Sequence, residues 1–343
     1  MTTQIRSTLP GPTESHYSEK PDNETNRPQG SRPTNGATLN PFSQATHAGS
    51  PATDKIFSGI SLGAGILILA VLASVAIFLI IQAAPVFSAP AAELTEGSFW
   101  SYIYPLAVGT LIASAIALLL ATPMGIGIAL YISHYAPKKI AKPVSYLIDL
   151  LTAIPSVIFG AWGAMVLAPQ VVPIYDWLGT HMGWLPIFAG NTSQTGKTIL
   201  TAGVVLGIMI LPIITSMCRE LFIQTPKLQQ EAALGLGATR WEMIRMTVLP
   251  FARTGIISSV MLALGRALGE TMAVTLVLSG GPLTASIISS GNQTFASEIA
   301  LNFPEAYGLR MSELIAAGLV LFVITLIVNI AARLIVSRYR KKA

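Results

Sequence analysis

The chain has 343 residues, of which 52% are hydrophobic and only 11% are charged, about half the charged share of soluble globular proteins. So little polar surface excludes an ordinary soluble protein and predicts a lipid bilayer as the solvent. The formal net charge of +5 does not indicate nucleic acid as a partner, because the basic residues lie in short segments between apolar runs rather than in one patch with aromatic side chains.

The first 55 residues differ in composition from the rest of the chain. They are rich in Pro, Ser, Thr, Asn and Gly and hold almost no large apolar side chains. Such a segment cannot bury enough surface to offset the entropy of an ordered chain, so residues 1–55 are predicted to be a disordered tail. No apolar run precedes residue 56, and no secretory signal peptide is therefore expected.

Six apolar runs follow, each near the ~20 residues that a helix needs to cross a bilayer. Backbone groups in lipid must be hydrogen-bonded within the protein, and the runs are too long for barrel strands, so the predicted fold is an all-α bundle of six transmembrane helices. The predicted spans are 56–81, 105–132, 144–168, 199–217, 254–278 and 313–336, within a transmembrane domain of residues 56–340.

Lysine and arginine are distributed unevenly between the connections. Thirteen of them lie in the loops 133–143 and 219–253 and at the C-terminal end, whereas the loops on the other side hold only Lys197 and Arg310. Cytoplasmic loops carry the excess of Lys and Arg in membrane proteins. We therefore predict a multi-pass protein of the plasma (inner) membrane with both termini in the cytoplasm.

The connection 219–253 is long for a compact bundle and has a helical pattern, "KLQQEAALGLGATRWEMIRMTVLP". Gly235 and Gly237 predict a corner between two short helices, because glycine interrupts helices and reaches conformations closed to other residues. Two interpretations stay open: a docking element for a partner protein, or an amphipathic helix at the membrane surface with no partner.

The same connection resembles the EAA motif of ABC importer permeases. The matching residues are Glu231, Ala232, Ala233, Gly237, Leu249 and Pro250. Thr247 departs from the motif, which usually has Ile there. The resemblance implies a type I importer permease whose coupling loop inserts into a separate ATPase subunit. ATP and magnesium then belong to that ATPase, and no cofactor or metal is expected in this chain.

Two further segments, "TAIPSVIFGAWG" and "PFARTGIISSVMLALGRALGETMAVT", resemble PstC-type permease subunits of phosphate ABC importers. What this resemblance implies is a complex with a PstA-type permease, two copies of the ATPase and an extracytoplasmic phosphate-binding protein. The resemblance covers roughly residues 56–340 and leaves the N-terminal segment outside it.

The fifth predicted span carries two charges, Arg266 and Glu270. In a helix over 254–278, Arg266 would lie at the midpoint, about 18 Å from either end, at an insertion cost of about 2.5–3.5 kcal/mol. Glu270 would share its face, four residues on. Two interpretations stay open, a buried ion pair that fixes helix packing and a substrate path. Gly265 and Gly269 predict that a neighbouring helix approaches closely.

Phosphate fits the chemistry of this pair. A guanidinium presents a fork of donors that matches a tetrahedral oxyanion. An ionised carboxylate only accepts hydrogen bonds, and phosphate near neutral pH still has a proton to donate whereas sulfate has none. We predict a substrate path of Arg266, Glu270, Thr271 and Ser156, the last beside Pro155, which predicts a kink in the third span.

Other functions fit less well. "GNTSQTGKT" (190–198) has five residues between its glycines where a phosphate-binding loop has four. A secondary transporter or channel gated by the Arg–Glu pair remains the alternative, although the helix pattern shows no internal repeat and the docking loop would be unexplained. An intramembrane enzyme lacks a nucleophile or ligand set: the chain has one cysteine, and none of its four histidines lies inside a predicted span.

Overall fold

The computed structural model describes residues 51–340, with side chains from 55 to 334, and the predicted disordered tail lies outside this part except for its last five residues. Nearly all of the described elements are helical, and no strand occurs among them. The helices are α1 Pro51–Ser88, α2 Phe99–Leu130, α3 Lys138–Thr152, α4 Ser156–Trp162, α5 Ala168–Met182, α6 Ile199–Ile223, α7 Lys227–Gly235, α8 Arg240–Met243, α9 Leu249–Leu268, α10 Met272–Val277, α11 Phe295–Asn302 and α12 Leu309–Arg340.

Six helices within the described residues are long and apolar enough to cross a membrane. Short π-helical segments extend α2 and join α4 to α5 and α8 to α9, so several of these helices run through two elements. The six are Lys55–Ser88, Phe99–Tyr135, Ser156–Met182, Ile199–Ile223, Arg240–Leu268 and Leu309–Leu334. Each predicted apolar run thus corresponds to one helix, but the third and fifth differ in their bounds.

The third membrane-length helix begins at Ser156 rather than at the predicted residue 144. Pro155 ends a helix instead of kinking one: α3 stops at Thr152, and α4 starts directly after the proline. Proline has no N–H to donate and moves the preceding residue out of the helical region, so a break here is the expected local geometry. The segment before the break, α3, begins with basic residues and is a separate amphipathic helix.

The fifth membrane-length helix begins and ends earlier in the chain than predicted. It runs over Arg240–Leu268, so the second short helix that was predicted for the loop is continuous with the span. The predicted span continued to residue 278, but Gly269 ends α9, and α10 begins only at Met272. Because the residues on both sides of this break are apolar, hydropathy alone does not reveal it.

Small residues bring α2 and α6 into close contact. Five buried residues of α2 recur at every fourth position, which places them on one stripe of the helix: Ala113, Ala117, Ala121, Gly125 and Ala129. A Cβ added at Gly203 of α6 would lie 2.6 Å from the Ile116 side chain. Packing of small residues is what drives helix association in membranes, where lipid tails remove the hydrophobic contribution. α6 is accordingly the most buried of the six long helices.

A charged cluster ties the N-terminal end of α12 to α11 and α2. The Arg310 guanidinium contacts the carboxylates of Glu298 at 2.7 Å and Glu313 at 3.1 Å and lies over the Tyr102 ring, 5.0 Å from its centroid. Thr95, in the connection between α1 and α2, donates its backbone N–H and its hydroxyl to the Glu313 carboxylate. Both carboxylates are buried, so this network fixes how these ends of the bundle pack.

Candidate functional site

Arg266 lies on the wall of a large groove between α6, α9 and α12. The groove has a volume of about 1440 Å³. Its lining is mostly apolar, with hydroxyl, amide and guanidinium groups among the hydrocarbon side chains: Thr152, Ile213, Ser216, Met217, Ser258, Met261, Leu262, Gly265, Arg266, Leu326, Asn329, Ile330 and Arg333. The Arg266 side chain is exposed to this space, so a cation faces a cavity and not the packed core.

The depth predicted for Arg266 needs correction. It lies in the last turn of α9 and not at the midpoint of a helix over 254–278. Gly265 lies beside it on the groove wall, and nothing in the described chain comes within 4 Å of a Cβ added there. The close helix approach predicted for Gly265 is therefore not made by the described residues, and this face of α9 is open.

Arg266 and Glu270 do not share a helical face. α9 ends at Leu268, so Glu270 lies in the break between two helices, half-buried. Its carboxylate accepts a hydrogen bond from the Ala273 backbone N–H at 3.2 Å, which satisfies a donor in the first turn of α10. No ion pair joins Glu270 to Arg266 within the part of the chain that the structure describes.

The other two predicted path residues lie at helix starts near the same break. Thr271 precedes α10 and donates its hydroxyl to the Gly269 carbonyl at 3.3 Å. Ser156 is the first residue of α4, which packs so closely on α10 that a Cβ at Gly160 would lie 2.5 Å from the Ala273 Cα. Of the four predicted path residues, only Arg266 lines the groove.

The predicted coupling residues gather on a second surface, at the end of the bundle where α6 leads into α7. A shallow groove of about 800 Å³ lies between α7 and the start of α9. Ala232, Ala233, Gly237 and Pro250 line it. Glu231 is exposed on α7 and Leu249 is the half-buried first residue of α9; neither lines the groove. We call the exposed face of residues 227–251 the coupling surface.

Gly237 closes α7 with a positive φ of 88°. Its N–H donates to the Leu234 carbonyl at 3.0 Å, and the Ala238 N–H donates to the Ala233 carbonyl at 3.2 Å. These two bonds form the Schellman arrangement, in which the residue at the positive φ is usually glycine. Nothing lies within 4 Å of a Cβ at this position, so backbone conformation within this chain, and not a close contact, requires glycine.

A capping box that the sequence analysis missed begins α8 directly afterwards. The Thr239 hydroxyl accepts from the Glu242 N–H at 3.3 Å, and the Glu242 carboxylate accepts from the Thr239 N–H at 2.8 Å. The signal was present as "TRWE", because Ser or Thr with Glu three residues later is typical of a helix start. With both helix ends capped, the corner is locally rigid while Leu236, 91% exposed, projects from it.

The segment that resembles a phosphate-binding loop has structural roles. A Cβ at Gly196, where φ is 67°, would overlap the Ala168 carbonyl oxygen at 1.8 Å. The Thr198 hydroxyl accepts from the Thr201 N–H and caps α6. Among residues 51–340, no three His, Cys, Asp or Glu side chains come together as metal ligands do.

Residues 121–341 match the family described as "Binding-protein-dependent transport system inner membrane component". The chain belongs to this family. As a member, it is a multi-pass membrane protein with six helices long enough to span.

Three proteins named as phosphate transport system permeases are similar to this chain. "Phosphate transport system permease protein PstC 2" of Mycobacterium bovis is 44% identical over 296 residues, which cover 82% of this chain and 91% of that protein. The PstC proteins of Mycobacterium leprae and Mesorhizobium japonicum are 45% and 39% identical, over 76% and 83% of this chain and 86% and 90% of their own lengths.

A solved structure confirms the fold class. The crystal structure of a bacterial alginate ABC transporter in complex with an alginate-pentasaccharide-bound periplasmic protein matches with a TM-score of 0.56. The match covers 82% of this chain and 93% of the other chain at 20% identity. The predicted all-α fold of an ABC importer permease is therefore correct.

Proposed function

We propose that this chain is the membrane-spanning permease subunit of an ATP-driven importer whose substrate is inorganic phosphate. The observation that carries the proposal is Arg266, a permanent cation that lines a groove of about 1440 Å³ with a mostly apolar wall. A charge on a membrane helix usually faces a substrate path or a bundle interior because its burial in lipid is costly. The relatives named as phosphate permeases support phosphate as the anion.

The groove suits passage better than tight binding. A guanidinium can donate two parallel hydrogen bonds to one oxyanion, whereas the Ser258 and Ser216 hydroxyls on the same wall already donate to the Thr254 carbonyl and the Asp149 carboxylate. A transport path must attract its substrate without retaining it, and this requires few strong contacts at any one position. One guanidinium on a mostly apolar wall meets that requirement.

The proposal includes partners that supply energy and the rest of the path. The coupling surface exposes Leu228 (82%) and Leu236 (91%), which indicates an apolar contact with a separate ATPase, two copies of which would hydrolyse ATP for the complex. This chain then has no enzymatic activity of its own. A second, PstA-type permease would complete the path, and an extracytoplasmic phosphate-binding protein would deliver the substrate. The loop charges favour cytoplasmic termini.

Purification of the tagged chain from native membranes, followed by reconstitution of its complex in proteoliposomes, tests this function. We expect co-purification of a second permease and an ATPase, and phosphate uptake that requires ATP and the binding protein. Sulfate added in excess should not compete. Uptake driven by a proton gradient without ATP would instead establish the secondary transporter, and a complex that carries another solute would reject phosphate.

A further inference from the structure

The groove that holds Arg266 contains a second arginine, Arg333 of α12. α9 and α12 belong to successive membrane-length helices, which run in opposite directions when each crosses the bilayer once. Arg266 lies in the last turn of α9, far from α7, whereas Arg333 lies seven residues beyond Leu326 toward the C-terminal end of α12. Arg333 therefore lies on the α7 side of the groove, and Arg266 lies on the opposite side.

Polar side chains occupy the interval between the two guanidinium groups. Ser258 precedes Arg266 by eight residues on α9, which corresponds to about 12 Å along the helix. Asn329 stands one turn before Arg333 on α12, and Ser216 faces the groove from α6. The Ser258 and Ser216 hydroxyls donate to the Thr254 carbonyl and the Asp149 carboxylate, whereas the Asn329 amide carries two N–H donors that can bind an anion without adding charge.

The groove holds two positive charges and no carboxylate in its lining. Within the described residues, neither arginine forms an ion pair with a side chain of this chain. The carboxylate of Asp149, beside the wall, accepts from the Ser216 hydroxyl at 2.6 Å and faces Arg219 at 3.7 Å. Two uncompensated cations in a mostly apolar cavity create a field that attracts an anion.

We propose that Arg333 is a second anion-binding residue of the groove, which receives phosphate from Arg266 on the α7 side. This inference rests on the proposed function and deepens it. A path with two cationic positions and a neutral amide donor, Asn329, between them lets an anion leave the first position as it gains contacts at the second. Multiple weak sites of this kind allow both entry and release.

The competing explanation is a basic residue at the end of a membrane helix that interacts with lipid headgroups. Such a residue reaches the interface with its long side chain and serves topology alone. The two explanations differ in one measurable respect. Phosphate protects a side chain in an anion-binding site from chemical labelling, whereas it has no effect on the labelling of a residue that contacts lipid headgroups.

The chain offers a direct chemical test because its only cysteine, Cys218, is buried. In the complete importer with Cys218→Ala, Arg333→Cys removes the cation and introduces a thiol in the groove. We expect phosphate uptake to fall about tenfold or more, the usual effect of losing a charged hydrogen bond. A methanethiosulfonate that attaches an ethylammonium group should restore part of the uptake, while the neutral methyl reagent should not.

Phosphate should also slow the labelling of Arg333→Cys, whereas labelling of the matched control Lys139→Cys, an exposed basic residue outside both the groove and the coupling surface, should be unaffected. Normal uptake by Arg333→Cys would overturn the inference. The inference would also be overturned if neither reagent restored the lost uptake and phosphate did not slow the labelling. If the Cys218→Ala importer carries another anion and no phosphate, the proposed function fails, and that outcome is separate from the first two.

Discussion

Glu270 lies half-buried in the break between α9 and α10, where its carboxylate accepts from the Ala273 N–H at 3.2 Å. Glu270→Gln keeps an acceptor oxygen at this position and should leave stability nearly unchanged. Glu270→Ala removes the acceptor and should cost about 1 kcal/mol, the typical value of a lost helix cap. Thermal unfolding of the two purified variants in detergent measures the difference, and equal stability would show that the bond contributes nothing.

The charge of Glu270 is a separate matter from its hydrogen bond. A carboxylate near the path repels a fully ionised oxyanion, while a phosphate that still bears a proton can donate to it. We expect Glu270→Gln to lower the discrimination between phosphate and sulfate in uptake competition. Unchanged discrimination would restrict Glu270 to its role at the start of α10.

Arg310 holds the charged cluster together, because it is the cation that contacts both buried carboxylates, Glu298 and Glu313. Arg310→Gln should destabilise the protein by about 3–5 kcal/mol, since two buried charges lose their partner. The exposed Arg245→Gln is the matched control and should have no measurable effect. Neutralising both carboxylates together with Arg310 should recover most of the loss in thermal unfolding. A single variant as stable as the parent would contradict this role.

For single residues, the chemical type of a side chain in an apolar run could be predicted from the sequence, whereas its neighbours in the fold could not. The sequence identifies Arg266 as an arginine in an apolar run, which is enough to make it a candidate for the substrate path. Most of its neighbours from other helices belong to α6, about fifty residues earlier in the chain, and to α12, about sixty or more residues later. Nothing in the local pattern indicates that Arg333 faces the same cavity. The cluster around Arg310 was missed for the same reason, because its partners lie on three different elements.

At the scale of elements, the corner between α7 and α8 depends on one glycine. Gly237→Ala forces a Cβ into a left-handed conformation at a cost of about 1–2 kcal/mol, and the bonds that close α7 should weaken. We expect phosphate uptake by the complete importer to fall while the amount of protein in the membrane stays constant. Gly235→Ala is the matched control, because Gly235 is helical and has open space around its Cβ position.

Gly235→Ala should be neutral or slightly stabilising, by about 0.5–1 kcal/mol, since glycine is unfavourable within a helix. ATP hydrolysis and uptake measured on the same proteoliposomes separate lost coupling from lost assembly. Equal uptake by the Gly237 and Gly235 variants would leave the corner as a passive connection.

The apolar runs predicted the number of long helices correctly but not where two of them break. A hydropathy pattern indicates which segments can lie in lipid, but it does not show where the helical backbone is interrupted. Ala153 and Ile154 are as apolar as the helices around them, and the second break, at 269–271, lies inside the apolar run 254–278. Pro155 ends the first helix locally, whereas a tertiary contact accompanies the second break: α4 packs on α10 at Gly160, where any side chain would overlap Ala273. Such a contact cannot be seen in either segment alone.

For the whole molecule, six long helices and an excess of basic residues in alternate connections predict that both termini lie in the cytoplasm. A reporter that is active only after export should be silent when fused after Ala343 and active when inserted at Gln194, an exposed position between α5 and α6. The opposite pattern would place the coupling surface outside the cell, where no ATPase has access to ATP.

If the groove conducts phosphate past Arg266, then phosphate uptake by the reconstituted importer depends on this guanidinium. Arg266→Gln removes the cation but keeps a hydrogen-bonding side chain of similar length, while Arg266→Lys keeps the charge and loses the fork of donors. We expect uptake to be abolished in the first variant and reduced in the second, with both chains assembled and ATP hydrolysis retained. Phosphate uptake by Arg266→Gln at the parental rate would show that phosphate transport does not depend on Arg266.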